Sequence, residues 1–233
     1  MVSTAVAGFR SLHVVVPVRS LASGKARLGG AIDAEERETL IRGMLRRTLA
    51  LLSSWPACRA IHLVSADRDL LVETVVDGST PLRPLLQRQG GLNEALLMGR
   101  DDALGAGASA VLMLPADLPL LSVEALDRLL EAADAALAAG SGGPVVVIAP
   151  SDARKGTNAL LLSPPSVIEP RFGLDSFEAH LRAAARAEAA LQIVDDPGLG
   201  FDVDTPEDLE RLESSLMLEL SRLGASPVGA GLG

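Results

Sequence analysis

A chain of 233 residues that is 48% hydrophobic has ample apolar material for a core, yet no apolar run approaches the roughly 18 residues of a membrane helix. Its net charge of −9 argues against broad nucleic-acid binding, and its single cysteine, Cys58, excludes an internal disulfide framework or a Cys-rich zinc site. Residues 1–12 hold one Arg and no long apolar block, so no signal peptide is expected and a soluble, cytoplasmic enzyme is the plain reading. Aromatic residues make up only 2%, so a bound base would be held by backbone and amide groups more readily than by stacking.

Strand and helix patterns alternate along most of the chain, the mark of an α/β fold with a mostly parallel sheet. Residues 12–18 form a β-branched run read as the first, buried strand, and 19–32, rich in Gly, Ser and Lys, read as a loop. Asp33 offers an N-cap with Glu36 as its capping-box partner, and Leu40, Ile41, Met44, Leu45 and Leu49 follow at helical spacing. A second strand is expected over 60–65 and a short one at Leu85-Leu86. Asn93 is expected to cap a helix running to about Leu104. The apolar run 110–114 predicts a central strand that stops at Pro115-Ala116-Asp117-Leu118-Pro119, after which Ser122 caps a helix closed by Gly140. Strands are expected over 145–149 and 158–162, a helix over 176–190 and a strand over 191–194. Thr205 as N-cap, with Pro206 at the first helical position, opens one last helix through Leu209, Leu212, Leu216 and Leu220.

Ligands in open α/β sheets bind beyond the carboxyl ends of the strands, which selects four segments. The first is the loop 19–28, whose Arg19, Lys25 and Arg27 suit a triphosphate or, equally, form a solvated basic loop. It is not a P-loop, because the leading Gly and the Ser/Thr after the Lys are both missing. The second is Asp117, rigid between two prolines, which reads as a turn former or as a magnesium ligand. The third is Gly156-Thr157-Asn158, and the fourth is the turn carrying Asp202 and Asp204. Gly173 with Ser176 just before a helix is a further turn that also makes an anion site. His13, His62 and His180 are widely spaced and read as core or surface histidines, while Trp55 and Cys58 are expected only to pack.

With those residues laid out, the chain resembles the guanylyltransferases of coenzyme F-420 biosynthesis, which act on phosphoenolpyruvate or 2-phospho-L-lactate. The matching pieces are Val16-Pro17-Val18 with Lys25-Ala26-Arg27-Leu28, then Gly91-Leu92-Asn93, 114–120, 156–161, Phe172-Gly173 with Ser176-Phe177, and 202–209. The resemblance implies a three-layer α/β/α, Rossmann-like domain of the glycosyltransferase-A-like nucleotidyltransferases, spanning 12–222, with flexible ends at 1–11 and 223–233. It implies transfer of GMP from GTP to phosphoenolpyruvate or 2-phospho-L-lactate with release of pyrophosphate, using Mg2+. Asp117 and Asp204, the latter preferred over Asp202, are implied metal ligands. Thr157, Gly173 and Ser176 are implied to hold the three-carbon phospho-acid, Lys25 and Arg27 the triphosphate, and Gly91 and Asn93 the nucleotide, with Lys25 and Asp117 catalytic. The superfamily's Gly-rich first loop is reduced here to Ser23-Gly24, and 151–155 departs from the family's Asp-Arg-x-Gly-Thr-Asn pattern, so Asp152 and Arg154 receive no role. Alternatives are another acceptor (3-phosphoglycerate or a molybdopterin) or a nucleotide-binding regulator without catalysis. An apolar sheet edge together with the resemblance is compatible with a homodimer.

Overall fold

The computed structural model describes residues 10–225 apart from 20, 22–23, 75–79, 140–141 and 213. Apolar residues at alternate positions of the strands face opposite ways, as a period of two requires, and each set meets its own layer of helices. Val14, Val16, Ile61, Leu63, Leu112 and Leu161 share one core with Leu45, Leu126 and Leu129; Val15, Val64, Met113, Ile148 and Leu160 share another with Leu96 and Phe177. Three layers result, α/β/α.

The strands are β1 (Leu12–Val18), β2 (Cys58–Ser65), β3 (Leu82–Leu86), β4 (Ala110–Met113), β5 (Val145–Pro150), β6 (Thr157–Ser163) and β7 (Ala190–Ile193). They form one sheet in the order β3-β2-β1-β4-β6-β5-β7. All neighbouring pairs are parallel except those of β6, which runs antiparallel to both β4 and β5. The helices are α1 (Ala34–Ser54), α2 (Arg68–Glu73), α3 (Leu92–Gly105), α4 (Val123–Ala139), α5 (Ser176–Arg186), α6 (Pro197–Gly200), α7 (Pro206–Arg211) and α8 (Ser214–Ala225).

Local chemistry explains most boundaries. Asp33 and Glu36 form the expected capping box on α1, and Ser122 Oγ accepts from the Ala125 amide at the start of α4. Thr205 caps α7, with Asp208 as its reciprocal partner. Several expectations need correction. The loop 19–32 contains a 3-10 turn, Ala26–Gly30. Gly91, not Asn93, is the N-cap of α3, because the Asn93 side chain reaches away to another loop. Helix α5 stops at Arg186 instead of 190, and Ala190 already pairs with Val145 in the sheet. The last helix is two helices, broken where Leu212 turns extended and packs inward. Helix α8 then runs through Ala225, into the stretch expected as a tail. Gly140, Ser23 and the outer parts of both expected flexible ends, 1–9 and 226–233, lie outside the described residues. Helices α2, capped by Asp67, and α6, capped by Asp196, had no counterpart in the sequence reading.

Helices α1 and α8 cross at glycines. A Cβ on Gly43 would lie 2.0 Å from the Leu220 carbonyl oxygen, and one on Gly224 would lie 1.9 Å from that of Thr39. No side chain fits at either point, so the two backbones touch.

Of the histidines read as core or surface residues, His13 and His62 are buried and wired together across β1 and β2. His62 Nδ1 lies 2.8 Å from Asp102 Oδ2, and His62 Nε2 lies 2.8 Å from His13 Nδ1. A carboxylate only accepts, so His62 donates to Asp102, His13 donates to His62, and Ser11 Oγ donates to His13 Nε2 at 3.0 Å. Arg83 clamps Asp102 with two hydrogen bonds. Burial pushes His62 down to about 4 despite the Asp102 hydrogen bond, and lowers His13 as well. Burial likewise pushes His180 down to about 4.

These shifts have a definite sign. An unfolded histidine takes up its proton near pH 6.5, whereas the folded ones resist until about pH 4, so acidification favours the unfolded chain across that window. Asp202 and Asp134, whose carboxyls burial raises, oppose the trend but are outnumbered. The urea midpoint is therefore expected to fall steadily as pH drops from 7 toward 4.5; a flat or rising midpoint would contradict the neutral histidine assignment.

Candidate active site

At the carboxyl ends of β1 and β4 the chain opens into a cleft of about 750 Å3, within the range of small-ligand sites. Its walls include Arg19, Lys25, Arg27, Asp117, Thr157, Gly173, Ser176, Asp202 and Asp204. Residues from five separate stretches of sequence therefore face one space.

Lys25 sits at its centre. Its backbone is left-handed (φ 51°), uncommon for a side chain with a Cβ, and its ammonium is nearly buried. Nζ donates to Asp117 Oδ2 and Asp204 Oδ1, both at 2.8 Å. Burial works against the Lys25 charge, but the two carboxylates outweigh it and hold its pKa above the ordinary lysine value. Asp117 is carried on the turn that ends β4, and its carbonyl accepts from the Val203 amide at 3.3 Å, tying the two acidic turns together. Asp208 fixes the second turn: its Oδ2 accepts from the Asp204 amide, the Thr205 amide and the Thr205 hydroxyl. Asp202 differs from its neighbour. Burial, with the nearby Asp117 charge, pushes it up to about 6, and the Asn158 amide reaches it at 3.3 Å.

Thr157, Gly173 and Ser176 lie together on the other side of the cleft. Thr157 opens β6 and Ser176 opens α5; both side chains are buried, and the Ser176 hydroxyl has no hydrogen-bond partner. Gly173 has φ 120°, a conformation that L side chains rarely adopt, although a Cβ there would meet nothing within 4 Å. Glycine is required by the backbone and not by crowding. Asn93 is placed differently from Lys25 or Thr157. Its Nδ2 donates to the Phe172 carbonyl at 3.0 Å and its Oδ1 accepts from the Phe172 amide at 2.8 Å, so the side chain clamps the loop that carries Gly173. Gly91 caps α3, its amide donating to Glu94, and of this segment Leu92 lines the cleft.

Sequence reasoning passed over two further features. Asp152 and Arg154, left without roles, both form ion pairs: Asp152 with Arg211, which also covers the Phe201 ring, and Arg154 with Asp195. His180 hydrogen-bonds Thr157, and its position four residues after Ser176 on one helix face was the available signal. No helix among the described residues is long and apolar enough to cross a membrane.

The mixed sheet flanked by helices is the fold of structures described as nucleotidyltransferases. It is shared with a structure described as a nucleotide-diphospho-sugar transferase from Desulfovibrio desulfuricans G20 (TM-score 0.69, 18% identity, covering 91% of this chain and 96% of that one). Residues 12–217 match the family "Guanylyl transferase CofC like", and the chain belongs to that family. Its relatives include the phosphoenolpyruvate guanylyltransferases of Rubrobacter xylanophilus (44% identical, covering 88% of this chain and 95% of the relative) and Sphaerobacter thermophilus (38%, covering 93% and 94%). The 3-phospho-D-glycerate guanylyltransferase of Colwellia psychrerythraea is 28% identical, covering 91% and 97%.

The Asn93 clamp can be tested alone. In Asn93→Asp, Oδ1 can still accept from the Phe172 amide, but the second oxygen faces the Phe172 carbonyl with no proton between them. The variant is expected to lose about 1–3 kcal/mol in urea unfolding at pH 7, and wild-type stability would show that the clamp carries little.

Proposed function

We propose that the protein transfers GMP from GTP to a three-carbon phospho-acid, with phosphoenolpyruvate the preferred acceptor, releasing pyrophosphate as in coenzyme F-420 biosynthesis. The observation that carries this reading is the joining, in one cleft, of a lysine held between two carboxylates with a separate pair of buried hydroxyls. The first set suits a triphosphate with its cation, the second a small anion.

Asp117 Oδ2 and Asp204 Oδ1 both accept from the Lys25 ammonium at 2.8 Å, so a metal beside that ammonium would be held by the other carboxylate oxygens, Asp117 Oδ1 and Asp204 Oδ2. That donor set fits Mg2+, which takes one or two protein carboxylates and completes its shell with phosphate oxygens and water. When bound, Mg2+ would neutralise charge on the triphosphate. Lys25 and Arg27 supply further positive charge to the phosphates, and Leu92, between Gly91 and Asn93, borders the nucleotide. Thr157, Ser176 and the Gly173 backbone hold the acceptor.

In the reaction, an oxygen of the acceptor's phosphate attacks the α-phosphorus of GTP in line. An O–P bond forms, the bond to the β-phosphate oxygen breaks, and pyrophosphate leaves with the electron pair. The acceptor phosphate is already ionised at neutral pH, so no general base is needed. Catalysis then comes from positioning and charge neutralisation.

The preference for phosphoenolpyruvate is supported by the names of the 44% and 38% identical relatives; the 28% identical one makes 3-phosphoglycerate the second acceptor to test. Asp117→Asn and Lys25→Met are each expected to lower pyrophosphate release at least about 100-fold, and Lys25→Met also to melt lower, because Asp117 and Asp204 then face each other without their cation. Near-normal turnover in Asp117→Asn would remove the metal assignment. Absence of pyrophosphate from the wild-type protein with GTP, Mg2+ and each of phosphoenolpyruvate, 2-phospho-L-lactate and 3-phosphoglycerate would remove the activity itself.

A further inference from the structure

His180 is fully buried, yet both ring nitrogens are engaged, and one partner fixes the role of the other. Nε2 lies 2.8 Å from the backbone nitrogen of Arg171, an amide that can only donate. Nε2 must therefore be the lone-pair nitrogen. A ring protonated there, whether the other neutral tautomer or the imidazolium, would set one N–H against another across that distance. The proton thus resides on Nδ1, and Nδ1–H donates to Thr157 Oγ1 at 2.9 Å.

That direction matters for Thr157. With its oxygen accepting from His180, the hydroxyl cannot also give its proton to the ring, so the proton remains available to the cleft that Thr157 lines. Ser176, one turn before His180 on α5, contributes a second hydroxyl with no partner. Burial and the Arg171 charge both keep the ring neutral. The Phe172 ring meets it edge-on at 5.3 Å, and Phe172 is itself clamped by Asn93.

We propose that His180 is a positioning residue which, locked as the Nδ1–H tautomer by the Arg171 amide, sets the Thr157 hydroxyl as an obligatory donor to the acceptor acid. Thr157 then favours a ligand atom that can only accept, such as an ionised phosphate or carboxylate oxygen. The inference rests on the reading above that Thr157 contacts the acceptor.

Two variants divide the ring's two contacts. In His180→Gln the side-chain oxygen can replace Nε2 as acceptor for Arg171, but the donor to Thr157 is lost. In His180→Asn the amide nitrogen falls near the Nδ1 position and keeps that donor. With whichever of the three phospho-acids turns over, H180Q is expected to raise the acceptor KM about tenfold while the GTP KM stays within twofold. H180N should lie nearer wild type; the reverse order, or equal rises in both KM values, would overturn the proposal.

Thr157→Val should raise the acceptor KM similarly, and adding H180Q to it should change little more, because both remove one interaction. Full additivity would overturn the role of His180. An acceptor KM unchanged in T157V would instead overturn the underlying placement of the acid. Should the variants fold poorly, nitrogen NMR of the three histidines in the wild-type protein decides the tautomer directly. His180 is expected to show a protonated Nδ1 and a bare Nε2, and the opposite assignment sinks the proposal.

Discussion

The cleft depends on one ammonium ion between two carboxylates. Lys25, Asp117 and Asp204 come from the loop after β1, the turn after β4 and the turn before α7. Two acids brought this close repel one another unless a cation lies between them, and the buried Lys25 amine keeps its proton because both acids face it. The left-handed backbone at Lys25 is part of the arrangement, since it aims the side chain inward from a loop with little regular structure. Charge does not balance, however. Two carboxylates face one ammonium, with Asp202 close behind, so acid outweighs base on this side of the cleft.

The Thr157 side of the cleft rests on a topological exception. Six strands run parallel, and the carboxyl ends of β1, β4 and β5 open onto the cleft. β6 runs the other way, pairing Leu160 with Met113, so its amino end reaches the same edge. Thr157 and Asn158 therefore stand where strand ends would normally stand, and they turn in opposite directions chemically. Thr157 meets His180 on α5, whereas Asn158 meets Gly200 and Asp202 beside the acidic turn. One reversed strand thus joins the two halves of the site.

Much of this was legible in the residues. Buried parallel strands announce themselves as short β-branched runs, so β1 appears with the expected bounds, and the Asp33-Glu36 and Thr205-Pro206 signals mark true helix starts. Lys25, Asp117, Asp204, Thr157, Gly173 and Ser176 were all singled out, and all line one cleft. What escaped was set by partners distant in sequence. Asn93 looked like a cap because Asn is a good cap, but a backbone 79 residues away holds it more completely. His180 reads only as a core or surface histidine because it lies far in sequence from His13 and His62, and the Arg171 amide alone reveals its direction. The final leucines kept helical spacing across 209–220, which concealed the break at Leu212, where packing against Phe201 and Val203 competes with helix continuation.

The glycine crossing of α1 and α8 reaches beyond local packing. Helix α1 supplies Ile41 and Met44 to the cleft wall, while Leu40 and Met44 share a small core with Phe201, Val203 and Leu220. The segment that holds the acidic turn, the helix that brings Ile41 and Met44 to the cleft and the last described helix are therefore seated on one another. α8 acts as a buttress: none of its described residues lines the cleft, yet the spacing between α1 and the Asp202–Asp204 turn is set partly by how closely two bare backbones can approach. Distance from the cleft along the sequence is thus a poor guide to which residues determine its width.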